Sequence, residues 1–219
     1  MKAVLFGATG MVGQGVLREC LLDPEMDAVL SVVRHPSGRS HPKLRELLHQ
    51  DFLDFSPLAE DLRGLDACFF CLGVSSAGLD EQAYRRVTYD FTLAAAELLA
   101  KQSPNLTFIY VSGAGTDGGE QGRSMWARVK GATENALFRL PFKAAYAFRP
   151  AGIVPLHGIR SRTAIYRFFY TLLWPVLPLL RRAFPAWVTT TEQLGRAMLR
   201  VAKQGWPARV IEARDIPRI

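Results

Sequence analysis

The chain of 219 residues has only three cysteines, few charged residues and no long hydrophobic run. Charged residues make up 21% and hydrophobic residues 49%, which excludes a disordered chain, a coiled coil and a collagen-like fibre. The longest largely apolar run, residues 168–180, covers 13 residues and contains two prolines, whereas a membrane-spanning helix needs about 20. Glycines interrupt the apolar start of the chain, so it does not have the pattern of a signal peptide. We therefore expect a soluble, cytoplasmic protein, with association at a membrane surface as an alternative.

The cysteines Cys20, Cys68 and Cys71 are too few for a disulfide framework in a chain of this length. Cys68 and Cys71 have the spacing of a redox or zinc pair, but they lie in an apolar run typical of a buried strand. On a strand, residues i and i+3 point to opposite faces, and no second cysteine or histidine pair follows at metal-ligand spacing. The three residues are interpreted as buried structural thiols, and no metal site is predicted.

Acidic residues are missing from a long C-terminal stretch. The whole chain has 27 basic and 20 acidic residues and a net charge of +7. Residues 1–155 carry 16 basic and 17 acidic residues, a net charge of −1, whereas residues 156–219 carry 11 basic and 3 acidic residues, a net charge of +8. This excess favours anionic partners, such as nucleotide phosphates or lipid headgroups, with scattered surface arginines as the alternative.

Apolar runs alternate with helical stripes along most of the chain. The expected strands cover residues 2–6, 28–33, 47–49, 67–72, 106–111, 144–148 and 208–212. The expected helices cover residues 11–22, 80–101, 124–140 and 190–204. This order predicts an α/β fold with a doubly wound, mostly parallel sheet, a Rossmann fold. Residues 1–155 are assigned to a dinucleotide-binding core, and residues 156–219 to a small, mostly helical substrate-side lobe that closes the same domain.

A glycine motif, Gly-Ala-Thr-Gly-Met-Val-Gly at residues 7–13, lies between the first strand and the first helix. Gly7 allows a sharp turn, Gly10 lets a pyrophosphate approach the backbone, and Gly13 lets the helix pack close to the strand. The N–H groups at the start of the helix then face the phosphates. The motif predicts a dinucleotide site with the following members: Gly7, Thr9, Gly10, Met11, Val12 and Gly13.

The second strand ends in Val33-Arg34 and lacks the acidic residue that binds the ribose 2′-hydroxyl in NAD-selective sites. The Arg34 guanidinium would instead pair with the 2′-phosphate of NADP(H), and Arg39 is a candidate for a second contact. The cofactor predicted is therefore NADP(H) rather than NAD(H). An exposed loop arginine without a role is the alternative for Arg34.

The glycine motif, Asp51, the Tyr-Val-Ser of residues 110–112 and Arg149-Pro150 together resemble the short-chain dehydrogenase/reductase superfamily. The match is to its extended and atypical branches, which include NAD-dependent epimerase-like enzymes. More narrowly, the chain is similar to the Tat-interacting-protein-like NADPH-binding oxidoreductases. The resemblance covers residues 1–155 and implies an NADP(H)-dependent oxidoreductase that acts on a small, apolar carbonyl or alcohol.

The resemblance also assigns roles to single residues. It implies cofactor contacts from two further loops, at Asp51, Phe52, Leu72, Gly73 and Val74. Asp51 would bind the adenine amino group with Phe52 beside it, and the other three would line the ribose and pyrophosphate. Ser112 would orient the substrate carbonyl, and Lys130 would contact the nicotinamide ribose. Arg149 and Pro150 would begin the segment that closes over the nicotinamide.

One position departs from the superfamily pattern. The superfamily has a Tyr-x-x-x-Lys motif. At the corresponding positions this chain has Trp126 in place of the tyrosine, four residues before Lys130. The spacing keeps both residues on one helix face, but an indole cannot deliver or accept the proton that a phenol handles. Other proton donors are then needed, and the candidates are Tyr84, Tyr89, Tyr110, His157, Lys130 itself or water. Two hypotheses stay open: a slow oxidoreductase, and an NADPH-binding regulator or assembly protein.

Residues 165–187 hold 7 of the 23 aromatic residues of the chain, and arginines flank them. This composition predicts the wall of an apolar substrate pocket, or peripheral contact with a membrane or protein through residues 156–188. Nucleic acid is not a predicted partner, because these aromatics are interleaved with aliphatic residues rather than free to stack on bases. The expected partner is a small-molecule substrate, and the chain is expected to be a monomer or a homodimer.

Overall fold

The computed structural model describes residues 1–159 and 187–219, so most of the predicted aromatic segment lies outside the described residues. The strands in this part of the chain are β1 (Lys2–Phe6), β2 (Ala28–Val33), β3 (Leu44–Leu48), β4 (Ala67–Phe70), β5 (Thr107–Val111), β6 (Ala144–Arg149), β7 (Gly152–Val154), β8 (Val188–Thr190) and β9 (Val210–Glu212). Seven of them form one parallel sheet in the order β3-β2-β1-β4-β5-β6-β9. The strands β7 and β8 pair with each other in a separate parallel ribbon.

The α-helices within residues 1–159 and 187–219 are α1 (Met11–Leu22), α2 (Glu81–Arg85), α3 (Phe91–Gln102), α4 (Met125–Leu137) and α5 (Thr191–Gln204). A π-helical turn, Arg86–Asp90, joins α2 to α3, so the long helix predicted over residues 80–101 is present with an interruption. Side chains that accept backbone N–H groups set two helix starts, Asp80 for α2 and Thr190 for α5. Gly205, at φ +75°, ends α5.

Both faces of the sheet are covered, as a doubly wound fold requires. Successive strand side chains point to opposite faces, so Ala3 and Leu5 belong to one core cluster while Val4 and Phe6 belong to the other. The first cluster lies under α1 and α5, and the second lies under α3. The predicted α/β fold with a parallel sheet is confirmed.

The structure differs from the prediction at the margins of the sheet. β3 covers Leu44–Leu48 rather than residues 47–49. The sequence did not indicate its start because β3 is an edge strand, and its exposed Arg45 interrupts the apolar pattern. The ribbon of β7 and β8 was not predicted. Each of its strands has three residues, and Gly152 pairs with Val188 far along the chain, so no local pattern signals the pairing.

The C-terminal residues 187–219 pack on the core domain. β9 pairs with β6 as the seventh strand of the sheet, and α5 lies directly against α1. The two helices meet at glycines: a Cβ added to Gly15 would lie 2.6 Å from the carbonyl oxygen of Thr191, and one added to Gly195 would lie 3.0 Å from the carbonyl oxygen of Gly15. The other part of the predicted substrate-side lobe, residues 160–186, lies outside the described residues.

Ion pairs join α5 to α1 around these glycines. The Arg196 guanidinium lies 3.0 Å from the carboxylate of Glu19, which is buried on α1. Lys203 lies 2.7 Å from the Asp23 carboxylate at the end of α1. These two ion pairs, together with the glycine contacts, hold α5 against α1.

The interpretation of the cysteines as structural thiols is confirmed. Cys20 and Cys68 are buried and Cys71 is partly buried, and none of the three is in a disulfide. Burial raises the pKa of Cys20 to about 12 and the pKa values of Cys68 and Cys71 above the ordinary thiol value, so all three stay protonated. Across residues 1–159 and 187–219 there is no group of three metal-ligating side chains, and no helix has the length and apolarity needed to cross a membrane.

We expect Gly15→Ala to lower the free energy of unfolding by about 1–3 kcal/mol, because the new methyl group forces the backbones of α1 and α5 apart. This loss outweighs the higher helix propensity of alanine. Denaturant unfolding followed by circular dichroism measures the change. Gly73→Ala is the matched control, since a Cβ there meets no atom within 4 Å. Equal stability of both variants and the unsubstituted protein would contradict the close helix contact.

Candidate dinucleotide and reaction site

The candidate site lies at the carboxyl edge of the sheet, where the loops after parallel strands meet. The strand order places β1 beside β4, and the chain leaves these two strands toward opposite halves of the sheet. Dinucleotides bind at such a switch point in open α/β sheets. The glycine motif, Arg34, Asp51, Leu72 and Ser112 follow β1, β2, β3, β4 and β5, so the fold brings the predicted residues to one edge.

The glycine motif forms a tight turn between β1 and α1. Gly7 has φ +79°, a conformation that favours glycine, and its carbonyl oxygen accepts the N–H of Gly10 at 2.9 Å. A Cβ added to Gly13 would lie 2.1 Å from the same oxygen. A side chain at Gly13 would therefore move α1 away from β1 and change the direction in which the helix points.

The start of α1 fits an anionic group. In this part of the described chain no side chain caps the helix, and its first turn contains no acidic residue. Its N–H groups and the positive end of the helix dipole are available to a pyrophosphate. Thr9, Met11 and Val12 are partly exposed here, and Gly10 leaves the backbone open to a ligand. The residues present thus fit a dinucleotide.

Two arginines lie on the β2 side of this turn. Arg34 is exposed, and its side chain has no hydrogen bond or ion pair with residues 1–159 or 187–219. Arg39 donates to Oε1 of Gln14 at 2.8 Å, and Nε2 of Gln14 donates to the carbonyl of Thr9 at 3.2 Å. Arg39 is therefore linked to the glycine turn by a chain of side-chain contacts, which the sequence did not indicate.

The loop after β3 places Asp51 at the surface and Phe52 inside. The Asp51 carboxylate accepts the N–H of Leu53 at 2.9 Å and is otherwise open to solvent. The Phe52 ring is buried against Phe55, so only its backbone can face a ligand. His49 was missed from the sequence: its Nε2 lies 2.6 Å from the Asp51 carbonyl oxygen, which holds the loop in shape.

The loop after β4 passes next to the glycine turn. A Cβ added to Gly7 would lie 2.6 Å from the backbone nitrogen of Leu72, so this segment touches the turn through its backbone. Gly73 and Val74 are exposed, and Val74 shows 45% of its surface. Their positions are compatible with the predicted contacts to the ribose and pyrophosphate.

Ser112 is buried at the end of β5 and shares a hydrogen bond with Thr116. The Thr116 hydroxyl donates to the carbonyl of Gly113 at 2.7 Å, so its oxygen accepts from the Ser112 hydroxyl at 3.0 Å. The lone pairs of Ser112 Oγ stay free to accept a hydrogen bond. Thr116 was not predicted as a site residue, and the only sequence signal is a second hydroxyl four residues after the first.

Lys130 reaches the same edge from α4. Its Nζ lies 3.4 Å from Oη of Tyr110 and 3.3 Å from the carbonyl oxygen of Val111, and it has no ion pair among the described residues. Desolvation lowers the pKa of Lys130 to about 8, although Glu134 acts in the opposite direction. The Glu134 carboxylate is itself held by Arg149, at 3.0 Å and 2.6 Å.

Trp126 lies one turn before Lys130 and covers the loop after β5. Cβ atoms added to Gly113 and Gly115 would lie 3.8 Å and 3.5 Å from its indole ring. The structure thus brings the ring at the tyrosine position next to Ser112. The Arg149 guanidinium, at the end of β6, binds Glu134 and lies 3.1 Å from Glu212 on β9.

The other candidate proton donors lie in different surroundings. Tyr84 and Tyr110 are buried, and burial raises the pKa of each phenol. The Arg85 guanidinium lies over the Tyr89 ring, with its Cζ atom 3.9 Å from the ring centroid. His157 contacts the Glu192 carboxylate at 2.5 Å on the first turn of α5. Of these residues, the structure places only Tyr110 in contact with Lys130.

We expect Lys130→Met to raise the free energy of unfolding at pH 7 by about 1–3 kcal/mol, because it removes a desolvated cation that lacks an ion pair in the described chain. The folded pKa lies below the unfolded value, so the stability of the unsubstituted protein should rise between about pH 8 and 10.5. The variant should lack this rise. Urea titrations at several pH values measure both effects, with exposed Lys101→Met as the control. A loss of stability in Lys130→Met would contradict the desolvation.

Comparisons with known proteins add relatives of low identity. No family model matches the chain. The mitochondrial protein FMP52 of Saccharomyces cerevisiae is 28% identical over 167 residues, which are 74% of this chain and 69% of the relative. FMP52 of Meyerozyma guilliermondii is 25% identical over 207 residues, 91% of this chain and 84% of the relative. These relatives are named mitochondrial, so the prediction of a cytoplasmic protein is wrong: the composition that supported it does not distinguish cellular compartments.

Solved structures share the fold at still lower identity. UDP-glucuronic acid 4-epimerase from Bacillus cereus, in complex with NAD, has a TM-score of 0.71 and 14% identity, over 97% of this chain and 76% of the epimerase. A thiolation-reductase di-domain from an archaeal non-ribosomal peptide synthetase has a TM-score of 0.72 and 13% identity, over 97% of this chain and 70% of the di-domain. The predicted resemblance is thereby confirmed at the level of the fold: the chain has the Rossmann-like α/β fold that these neighbours share.

Proposed function

We propose that the chain binds NADP(H) at the carboxyl edge of the sheet and interconverts a small, apolar carbonyl compound and its alcohol. The observation that carries this proposal is the placement of Ser112 and Lys130 at the same edge as the glycine turn of α1. When bound, the nicotinamide supplies or accepts a hydride. The residues of the chain bind the dinucleotide, orient the substrate and move the proton.

The preference for NADP(H) is supported by the charge beside the glycine turn. The Arg34 side chain has no hydrogen bond or ion pair with the described residues, and Arg39 is linked through Gln14 to the turn. Two guanidinium groups on this side can bind a 2′-phosphate, with which they form charge-assisted hydrogen bonds. The epimerase neighbour contains NAD, which is a property of that protein, and no acidic residue at the end of β2 favours NAD in this chain.

The proposed role of Ser112 follows from its hydrogen bond with Thr116. In the observed arrangement Ser112 Oγ can accept the hydroxyl hydrogen of an alcohol substrate. Rotation of the same hydroxyl turns it into a donor to a carbonyl oxygen. The apolar character of the substrate is supported by Val74 and Leu79 in the loop after β4, which expose 45% and 37% of their surfaces.

Trp126 favours a second function, an NADPH-binding regulator without turnover. Its indole stands where the superfamily has a phenol, and it packs over Gly113 and Gly115 next to Ser112. Consumption of NADPH across a panel of aldehydes and ketones separates the two functions. Turnover of any class supports the oxidoreductase, whereas tight NADPH binding without turnover supports the regulator. Trp126→Tyr should increase turnover in an oxidoreductase and leave a regulator inactive.

We expect Arg34→Ala to weaken NADPH binding by about 10- to 100-fold, because it removes a charge-assisted contact to the 2′-phosphate. Such a contact contributes about 1.5–3 kcal/mol to the binding free energy. NADH binding should change by less than about twofold, since NADH has no 2′-phosphate. Titration calorimetry with both dinucleotides measures the difference. Arg63→Ala is the control, because this exposed arginine lies before β4 at the opposite edge of the sheet. Equal weakening of both dinucleotides, or of neither, would rule out the role of Arg34.

A further inference from the structure

We propose that Lys130 Nζ is the group that exchanges the proton with the substrate oxygen, in place of the phenol that Trp126 has replaced. This inference rests on the proposed oxidoreductase function and assigns its missing acid and base. It does not follow from the superfamily pattern, in which the tyrosine handles this proton. The contacts of the other candidates at the sheet edge support it.

The two residues next to the expected substrate position cannot supply the proton. The Trp126 indole N–H does not ionise under physiological conditions and has no lone pair to accept a proton. The hydroxyl hydrogen of Ser112 is engaged by Thr116, whose own hydrogen is donated to the carbonyl of Gly113. Ser112 can therefore orient the substrate oxygen, but this chain of hydrogen bonds ends at a backbone carbonyl and leads to no proton source.

The tyrosines and the histidine are also poor candidates. Tyr84 and Tyr110 expose 2% and 1% of their surfaces, so neither phenol is accessible to a substrate. Tyr89 is covered by the Arg85 guanidinium. His157 is engaged by the Glu192 carboxylate on the first turn of α5.

The Lys130 ammonium is partly exposed and has N–H groups that are free to donate hydrogen bonds. An ammonium group has three N–H donors, and Nζ makes only two long contacts, at 3.3 Å and 3.4 Å, with the described residues. Lys130 is partly exposed, in contrast to Tyr110 beneath it. It lies on the same face of α4 as Trp126, one turn further along, so it faces the same edge of the sheet.

The groups around Lys130 leave its charge poorly compensated. Lys130 interacts with Tyr110 on β5 and with Glu134 one turn along α4, and Tyr84 in turn raises the pKa of Tyr110. Glu134 is bound by Arg149 through both carboxylate oxygens, so it offers little to the lysine. Desolvation accordingly holds the pKa of Lys130 at about 8, where the ammonium can donate and the amine can accept near neutral pH.

The proposed reaction transfers a hydride and a proton to the substrate carbonyl. In reduction, the carbonyl carbon gains the hydride from the reduced nicotinamide, and the π electron pair moves to the oxygen. That oxygen takes a proton from the Lys130 ammonium, an N–H bond breaks as the O–H bond forms, and solvent returns a proton to the amine. In oxidation, the neutral amine would accept the hydroxyl proton of the alcohol, the electron pair of the broken O–H bond would form the carbonyl π bond, and the carbinol carbon would release its hydride to the oxidised nicotinamide.

The first test measures the lysine itself and needs no cofactor. Acetic anhydride labelling of the folded protein between pH 6 and 11, read by peptide mass spectrometry, gives the pKa of each reactive lysine. We expect a midpoint near pH 8 for Lys130, below the reference value of about 10.4 for a free lysine side chain, with exposed Lys101 as the internal comparison. A Lys130 midpoint at or above that of Lys101 would overturn the proposal.

The second test is turnover with the carbonyl panel. Lys130→Arg keeps the charge but cannot exchange a proton, so kcat should fall by about 10²- to 10⁴-fold while NADPH still binds. Lys101→Arg is the control. In the unsubstituted protein, kcat/KM for reduction should decline above about pH 8, and kcat/KM for oxidation should rise across the same range. Undiminished turnover in Lys130→Arg would overturn the role of Lys130 alone. No turnover in the unsubstituted protein, with NADPH bound, would overturn the proposed function together with this inference.

Discussion

The position of α1 is the constraint on which the rest of the structure depends. The helix touches backbone on two sides, at the glycine turn through Gly13 and at α5 through Gly15. A Cβ at either glycine would meet a carbonyl oxygen at 2.1 Å or 2.6 Å. The absence of side chains at these two positions therefore fixes where the start of α1 points, and this direction creates the anion site.

The contact also explains why the C-terminal residues belong to the core. Since α1 is held against α5, the helix that presents the glycine turn is supported by residues almost 180 positions later in the chain. At its glycines, the contact between α1 and α5 is made by backbone atoms rather than by large apolar side chains. The ion pairs Arg196–Glu19 and Lys203–Asp23 also join the two helices. Residues distant in sequence thus form one structural unit beneath the candidate cofactor site.

The reaction end of the site is organised by a different principle, the incomplete compensation of a desolvated charge. Glu134 could have neutralised Lys130, but Arg149 binds it and joins it to Glu212 instead. The lysine is left with long contacts to Tyr110 and a backbone carbonyl. Desolvation therefore lowers the pKa of this amine, and perturbed groups of this kind are concentrated at functional sites.

The sequence by itself determined the features that depend on near neighbours in the chain. The glycine spacing of residues 7–13, the cap at Thr190 and the apolar runs of the central strands act within one turn or one strand. Their patterns therefore predicted the Rossmann fold and the sheet edge at which we propose that a dinucleotide binds. The lack of a signal-peptide pattern and of a membrane-spanning run, by contrast, did not distinguish a cytoplasmic from a mitochondrial protein. Only the tertiary structure decided the pairing of β7 with β8, the position of α5 on α1, the hydrogen bond from Ser112 to Thr116 and the low pKa of Lys130. Pairing and packing join residues far apart in the chain, and a pKa depends on every group that surrounds the side chain in space, which no local pattern encodes.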